Sequence, residues 1–310
     1  MQSIQILRSL IANMGVRYPK LTQAGIKRHM LIQSLNPRIS NTTQTHNESS
    51  NDSFSNPITS YLRRRTSANL ISLPNRKLFP TPYDDCKISI TTLDGERLHG
   101  FFLPTPYQEY KNKVVIFLQG GDENSTVWVH AASHLQEEVP ASYLVVGYRG
   151  FGRNTGKTSI EGFQIDTRSM YSKLLELDFQ PENISVYGRS MGGALAVELA
   201  SAVKVRSLAV QSSFSSFENY IIEQYPWLPL SFVDTNYLNS RELITHINDD
   251  TPILIGHGNK DRLVGVHHAE ELYRHANEPK KLIVLAGAGH VRLKKYFTRE
   301  YFEALREMVL

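Results

Sequence analysis

Ser190 stands between two glycines in the pentapeptide Gly188-Arg189-Ser190-Met191-Gly192. A short apolar run at 184–187 precedes this motif, and a helix-forming run at 194–200 follows it. Gly-x-Ser-x-Gly between a strand and a helix is typical of a sharp turn that presents a nucleophilic serine, because a side chain at either glycine would collide with neighbouring backbone. The pattern predicts Ser190 as a nucleophile on an elbow formed with Gly188 and Gly192; the alternative is an ordinary glycine-rich turn.

A serine hydroxyl is a weak nucleophile unless a base removes its proton. Of the 11 histidines, only His290 follows an apolar run, 282–285, through a glycine-bearing turn, which is where a strand's carboxyl end would place it. The imidazole in turn needs a carboxylate, and Asp261 follows the apolar run 252–255 in the same way. Less favoured acids that do not directly follow a strand are Asp234, Asp249 and Asp250. Other histidines expected to be loop or helix-start residues are His257, His267 and His268.

A serine nucleophile attacking a carbonyl also needs two donors for the oxyanion that develops. The N–H of Met191, directly after the serine, is the first candidate. Gly121, in the turn that follows the apolar run 114–118, is the second, with Gly120 or Asp122 as alternatives. A plain glycine turn is the competing interpretation here. No metal and no organic cofactor is implied by this set of residues.

Short apolar runs alternate with helical patterns beyond residue 83, which predicts an α/β protein. The first two runs predict an antiparallel hairpin, and the others predict a mostly parallel sheet with helices on both faces. In such sheets the reactive groups collect at the carboxyl ends of the strands, where each candidate above lies. The predicted strands are 87–92, 98–103, 114–118, 143–148, 184–187, 207–210, 252–255 and 281–285, and the predicted helices are 129–138, 160–177, 191–200, 267–275 and 296–308.

The composition is that of a soluble globular protein. The 310 residues are 41% hydrophobic and 21% charged, which excludes a wholly disordered, collagen-like or disulfide-scaffold chain. A multi-pass membrane protein is excluded because no run of about 18 uncharged apolar residues occurs. The single cysteine, Cys86, leaves no internal disulfide and no thiolate zinc cluster, which favours a reducing compartment.

Charge divides the chain into two parts. Residues 1–82 hold 11 Lys and Arg against 2 Asp and Glu, a net charge of +9, whereas residues 83–310 hold 23 against 28, a net charge of −5. The first 47 residues contain no Asp or Glu, which fits either a mitochondrial transit peptide or a basic arm for an anionic membrane surface. No nucleic-acid partner is predicted, because no recognition motif accompanies the basic residues.

A disordered N-terminal extension is predicted because Ser, Thr, Asn and Gln dominate its central part and leave little apolar area to bury. Aromatic residues between the Ser190 and Asp261 strands predict a small helical cap, where they would either line an acyl pocket or hold the insertion onto the sheet. The predicted segments are a basic, amphipathic 1–35, a linker 36–60, a basic connector 61–84 and a domain 85–310 with its cap at about 214–245.

Several motifs together resemble the α/β-hydrolases, and specifically their serine-aminopeptidase-like branch, which includes lysophospholipase-like and protein-depalmitoylase-like members. The resemblance covers about 85–310 and rests on the serine, aspartate and histidine in that chain order, on Tyr148-Arg149-Gly150-Phe151-Gly152, on Tyr225-Pro226-Trp227-Leu228-Pro229 and on Gly287-Ala288-Gly289-His290. It implies an α/β-hydrolase fold with an eight-stranded sheet, and oxyanion-hole positions for Gly121 and Met191. Two departures are Gln119-Gly120, where the family usually has His-Gly, and Val291-Arg292, where Asn or Asp usually follows the histidine.

The resulting prediction is a serine hydrolase that cleaves an ester or thioester with an acyl or lipid-like group, through an acyl-enzyme. One alternative is a serine aminopeptidase acting on short peptides. Another is a non-catalytic scaffold that binds a membrane or a partner, in which the altered turn at 119–123 has spoiled the oxyanion hole. The expected location is the cytoplasm or the periphery of a membrane; mitochondrial import and delivery into a host cell are the alternatives.

Overall fold

Residues 57–291 and 295–310 are described by the computed structural model of the protein. The basic segment predicted at 1–35 and most of the linker predicted at 36–60 lie outside them. The described part of the chain contains an eight-stranded sheet. Every predicted strand is present, and its ends differ from the predicted ends by three residues at most. The strands are β1 (Lys87–Thr91), β2 (Arg97–Leu103), β3 (Val114–Leu118), β4 (Ser142–Val146), β5 (Ile184–Arg189), β6 (Ser207–Gln211), β7 (Ile253–Gly258) and β8 (Lys280–Leu285).

The strand order is β1-β2-β4-β3-β5-β6-β7-β8. β1 pairs antiparallel with β2, and β2 pairs antiparallel with β4, whereas all other neighbours are parallel. This arrangement confirms the predicted hairpin and the mostly parallel sheet. The parallel strands therefore end at one edge, and the loops that follow them converge there.

Helices cover both faces of the sheet, as predicted. The central strands β3 and β4 are buried along their whole length, because a parallel sheet between two helical layers has no solvent-facing side. The helices are α1 (Pro57–Ile71), α2 (Ser125–Glu138), α3 (Ile160–Glu176), α4 (Met191–Ala202), α5 (Phe217–Gln224), α6 (Ser240–Leu243), α7 (His267–His275) and α8 (Arg299–Val309). One core contains apolar residues of α3, α4 and α7, and the other contains those of α2 and α8. None of these helices combines the length and apolarity needed to cross a bilayer.

A small helical insertion connects β6 to β7 and consists of α5, α6 and two short 3₁₀ turns, Leu230–Phe232 and Ile244–His246. Phe214, Phe217 and Tyr220 are buried in the core on the α4 side, and the rings of Phe214 and Tyr220 lie 5.3 Å apart. These rings hold the insertion onto the domain. Trp227, in contrast, is 60% exposed.

Helix α1 is not among the predicted elements, and its first residues, 57–60, fall within the predicted linker. Its contacts with the insertion explain its position: the Arg63 guanidinium donates to the Ser231 carbonyl at 2.7 Å, and the Asp234 N–H donates to the Ser67 hydroxyl at 2.8 Å. Ala68 is completely buried. The helix is therefore part of the folded domain.

Candidate active site

Ser190 joins β5 to α4 at a sharp turn. Its backbone has φ 55° and ψ −124°, a conformation that costs a residue with a Cβ free energy and persists only where the surroundings enforce it. Two hydrogen bonds enforce it here: the Ser190 N–H donates to the Gln211 carbonyl at 2.9 Å, and the Ser213 hydroxyl donates to the Ser190 carbonyl at 2.8 Å. Both partners lie at or just beyond the end of β6. The neighbouring strand thus holds the serine in place.

The two glycines of the elbow are required by close backbone approach. A Cβ added at Gly188 would overlap the Gly192 carbonyl oxygen and would lie 2.6 Å from the Ala196 Cβ. A Cβ added at Gly192 would overlap the carbonyl oxygens of Leu118 and Gln119, at the end of β3. The absence of these side chains lets α4 begin directly against β3 and β5, as the motif predicts.

We expect Gly188→Ala to lower the free energy of unfolding by about 1–3 kcal/mol, because the added methyl group must displace the backbone of α4. Hydrolytic activity should fall with it, since the displaced backbone carries Ser190. Gly289→Ala is the matched control, because its Cβ would meet no atom closer than 3.6 Å. Chemical denaturation of both variants measures the effect; equal stability of the two would contradict the steric account.

The structure brings Ser190, His290 and Asp261 together in one hydrogen-bonded chain of side chains. His290 Nε2 lies 3.1 Å from the Ser190 Oγ, and His290 Nδ1 lies 2.7 Å from the Asp261 Oδ2. The imidazole side chain is 12% exposed, and the Asp261 side chain is fully buried. This is the geometry in which an imidazole can take a proton from a hydroxyl while a carboxylate stabilises the imidazolium that forms.

Asp261 is held as an ionised acceptor. Burial by itself would raise the pKa of this carboxyl group, but hydrogen bonds from His257 and His290 and from the Val264 N–H outweigh burial and hold the pKa well below its ordinary value. Its Oδ1 accepts from the N–H groups of Leu263 at 3.0 Å and Val264 at 2.9 Å. With Oδ1 occupied in this way, Oδ2 is the oxygen that faces His290.

His257, at the end of β7, is a second histidine beside the same carboxylate. It is fully buried, and its Nε2 lies 2.8 Å from the Val264 carbonyl and 3.5 Å from the Asp261 Oδ2. The Nε2 proton is directed chiefly at the Val264 carbonyl and more distantly at Asp261, and both contacts hold the loop around Asp261. The prediction that His257 is a loop or helix-start residue is wrong, because β7 continues through this position and buries it.

Arg189, the variable residue before the serine, is a site residue that the sequence pattern did not indicate. Its guanidinium donates to the His290 carbonyl and lies 5.0 Å over the Trp128 ring. Burial lowers the pKa of Arg189, opposed by Tyr187 and by the carboxylates of Asp122 and Asp261. The arginine therefore fixes the backbone of the histidine and places a positive charge near Asp122.

We expect Arg189→Met to lower kcat about tenfold to a hundredfold, because a hydrogen bond from a charged group contributes about 1.5–3 kcal/mol and here orients the histidine. KM should change little, since no substrate contact is removed. Arg299→Met is the control, because that side chain is 92% exposed on α8. Steady-state kinetics on both variants provides the test, and a change in KM alone would rule out a role in positioning His290.

Three hydrogen bonds from other parts of the chain hold the turn after β3, which contains Gly121. The Tyr148 hydroxyl donates to the Gln119 carbonyl at 3.0 Å, and the Leu73 N–H, just beyond α1, donates to the Gly121 carbonyl at 2.6 Å. The Asn75 amide binds the Glu123 carboxylate at 2.7 Å. The acidic side chain of Glu123 is thereby held by a residue that follows α1.

The N–H groups of Met191 and Gly121 are available as donors. Met191 begins α4, and the first N–H groups of a helix have no partner within it. Among the hydrogen bonds of residues 57–291 and 295–310, neither N–H donates to a protein acceptor. Because Gly192 packs against the Gln119 carbonyl, the start of α4 and the turn after β3 are direct neighbours.

Comparison with known proteins supports the same fold. A family model for the alpha/beta hydrolase fold matches residues 113–246. The chain is 30% identical over 247 residues to the uncharacterized protein YfhR of Salmonella typhi, covering 74% of this chain and 83% of that protein. It is also 30% identical over 225 residues to the uncharacterized protein Rv2307c of Mycobacterium tuberculosis, covering 72% and 78% respectively.

A solved structure shares the architecture. The esterase Pf2001 of Pyrococcus furiosus superposes with a TM-score of 0.61 at 22% sequence identity, over 77% of this chain and 97% of the esterase. The likeness at this identity concerns the fold, and it extends over almost the whole of that enzyme. The family model and the 30% identity to YfhR over most of both chains show that this chain belongs to the α/β-hydrolase family, and its fold supports a hydrolase. The serine-aminopeptidase-like branch stays a prediction.

Proposed function

We propose that this protein is a serine hydrolase that cleaves an ester or thioester, with an acyl or lipid-like group, through a covalent acyl-enzyme. The observation that carries the proposal is the position of His290: its Nε2 lies 3.1 Å from the Ser190 Oγ, and its Nδ1 lies 2.7 Å from the Asp261 Oδ2. This histidine joins a strained, partly exposed serine to a buried carboxylate, which is the arrangement of a nucleophile, its base and the group that orients the base.

In the first half-reaction, His290 Nε2 accepts the Ser190 proton as the Oγ attacks the carbonyl carbon of the substrate. The N–H groups of Met191 and Gly121 stabilise the negative charge on the carbonyl oxygen of the tetrahedral intermediate. The intermediate then collapses: the bond to the alcohol or thiol breaks, and the leaving group takes the proton from His290. The acyl group remains on Ser190.

In the second half-reaction, His290 takes a proton from a water molecule as the water oxygen attacks the acyl carbon. The second tetrahedral intermediate releases the carboxylic acid, and the proton on His290 returns to the Ser190 Oγ. Asp261 stays ionised throughout, because its hydrogen bonds stabilise the charged form. Its negative charge stabilises the imidazolium formed in each half-reaction.

Apolar side chains next to the site in sequence favour an acyl or lipid-like substrate. Val291, directly after His290, is 63% exposed, and Leu263, two residues after Asp261, is 42% exposed. Exposed aliphatic side chains next to His290 and Asp261 in sequence are suited to contact an acyl chain.

A substrate panel tests the proposal. We expect p-nitrophenyl esters with acyl chains of two to twelve carbons, and acyl thioesters of coenzyme A, to be hydrolysed. Aminoacyl p-nitroanilides should be cleaved at least about a hundredfold more slowly. Preference for the anilides would establish the aminopeptidase alternative, and no turnover of any panel member by folded protein would support the non-catalytic scaffold.

A further inference from the structure

A cluster of two histidines and one glutamate lies outside the proposed reaction. His267 and His268 are the first two residues of α7, and Glu223 lies on α5 of the insertion. His267 Nε2 is 2.8 Å from one Glu223 carboxylate oxygen, and His268 Nε2 is 3.2 Å from the other. One ligand atom from each residue lies within 4.8 Å of the other two.

This donor set suits a divalent transition metal. Zn²⁺ binds imidazole nitrogen and carboxylate oxygen at about 2.0–2.2 Å, so its ligand atoms lie about 3.3 Å apart in a tetrahedral site. The two histidine–glutamate distances, 2.8 and 3.2 Å, are close to that separation. The His267 side chain is 57% exposed and that of Glu223 is 36% exposed, which gives an ion access and leaves room for water as a fourth ligand.

His268 has the outer contacts of a metal ligand. Its ring is 1% exposed, and its Nδ1 lies 2.9 Å from the Ser215 Oγ. The Ser215 hydroxyl oxygen can accept the ring proton when Nδ1 carries it. Nε2 then carries the lone pair that faces Glu223. The Ser215 N–H donates to Nδ1 at 3.3 Å, so without a metal the ring proton lies on Nε2, towards Glu223. A bound metal would shift this proton to Nδ1, towards the Ser215 Oγ.

We propose that Glu223, His267 and His268 form a binding site for a divalent transition metal of the Zn²⁺ class. The metal would link α5 of the insertion to the start of α7. We expect the metal to have a structural role, because it would hold the start of α7. This helix follows the loop in which the N–H groups of Leu263 and Val264 donate to Asp261. The site is independent of the hydrolytic mechanism, which needs no metal.

Zinc titration of the metal-free full-length protein by calorimetry, with its melting temperature measured in parallel, tests this site. We expect one saturable site, a rise in melting temperature on saturation, and absorption bands of tetrahedral imidazole-ligated Co²⁺ when cobalt replaces zinc. His267→Ala and Glu223→Gln should each weaken binding at least tenfold. Because both side chains are solvent-exposed, circular dichroism should show that the variants fold.

His134→Ala is the matched control. His134 also contacts a carboxylate, that of Glu137 at 2.9 Å, but the described residues supply no third ligand there. Its removal should leave the zinc affinity unchanged. Failure to find a saturable site, or equal affinity in the native protein, His267→Ala and Glu223→Gln, would overturn the proposal and would identify the cluster as hydrogen-bonded side chains only. Neither result depends on whether the protein hydrolyses esters.

Discussion

Replacing Ser190 with alanine is expected to lower kcat/KM for ester hydrolysis by at least about 10⁴-fold, because the variant has no atom that can form the acyl-enzyme. The loss should appear in kcat, and the affinity for substrate should be nearly retained. The melting temperature should change little. The backbone at position 190 is held by the Gln211 carbonyl and the Ser213 hydroxyl, and an alanine there keeps both hydrogen bonds.

Ser201→Ala is the control for this substitution. Ser201 lies on α4, the same helix that begins after Ser190, and its hydroxyl donates only to the Glu198 carbonyl within that helix. Its activity should stay within about twofold of the native protein. Activity in Ser190→Ala above about 1% of the native value would show that another group is the nucleophile.

Asp261→Asn is expected to lower kcat about 10³- to 10⁴-fold while the fold is retained. The reason lies in the two backbone donors. The N–H groups of Leu263 and Val264 face Oδ1, so the asparagine carbonyl oxygen must take that position and its NH₂ group must face His290. The NH₂ group then donates to His290 Nδ1 and forces the ring proton onto Nε2. An Nε2 that carries a proton cannot accept one from Ser190.

Asp249→Asn is the matched control, because Asp249 was a less favoured acid in the sequence and lies on the surface before β7. It should retain native kcat. Pre-steady-state kinetics with a p-nitrophenyl ester should show that the acylation burst slows in Asp261→Asn and persists in Asp249→Asn. An unchanged burst rate in Asp261→Asn would contradict the assigned role of the carboxylate.

Local sequence patterns were sufficient to predict the strands and the three residues Ser190, Asp261 and His290. Each of these three residues follows a short run of apolar residues that is typical of a strand, and the glycines at 188 and 192 mark the point where backbone segments touch. Because parallel strands end at one edge of the sheet, the strand topology alone predicts that three residues far apart in sequence lie close together.

Other parts of the site depend on contacts that no local pattern encodes. Helix α1 is anchored by Arg63 and Ser67 to the insertion, and its run of three arginines resembles a solvated connector when read alone. Arg189 occupies a variable position of the motif, and its role follows only from the path of the His290 loop. His267 and Glu223 are 44 residues apart, so their contact depends on how the insertion packs.

Labelling with a fluorophosphonate, followed by peptide mass mapping, identifies the nucleophile. The probe phosphonylates a serine only when an adjacent base activates it. We expect one adduct in native protein, on the peptide that contains Ser190, and none in Ser190→Ala. An adduct on a different residue, or equal labelling of native protein and Ser190→Ala, would contradict this assignment.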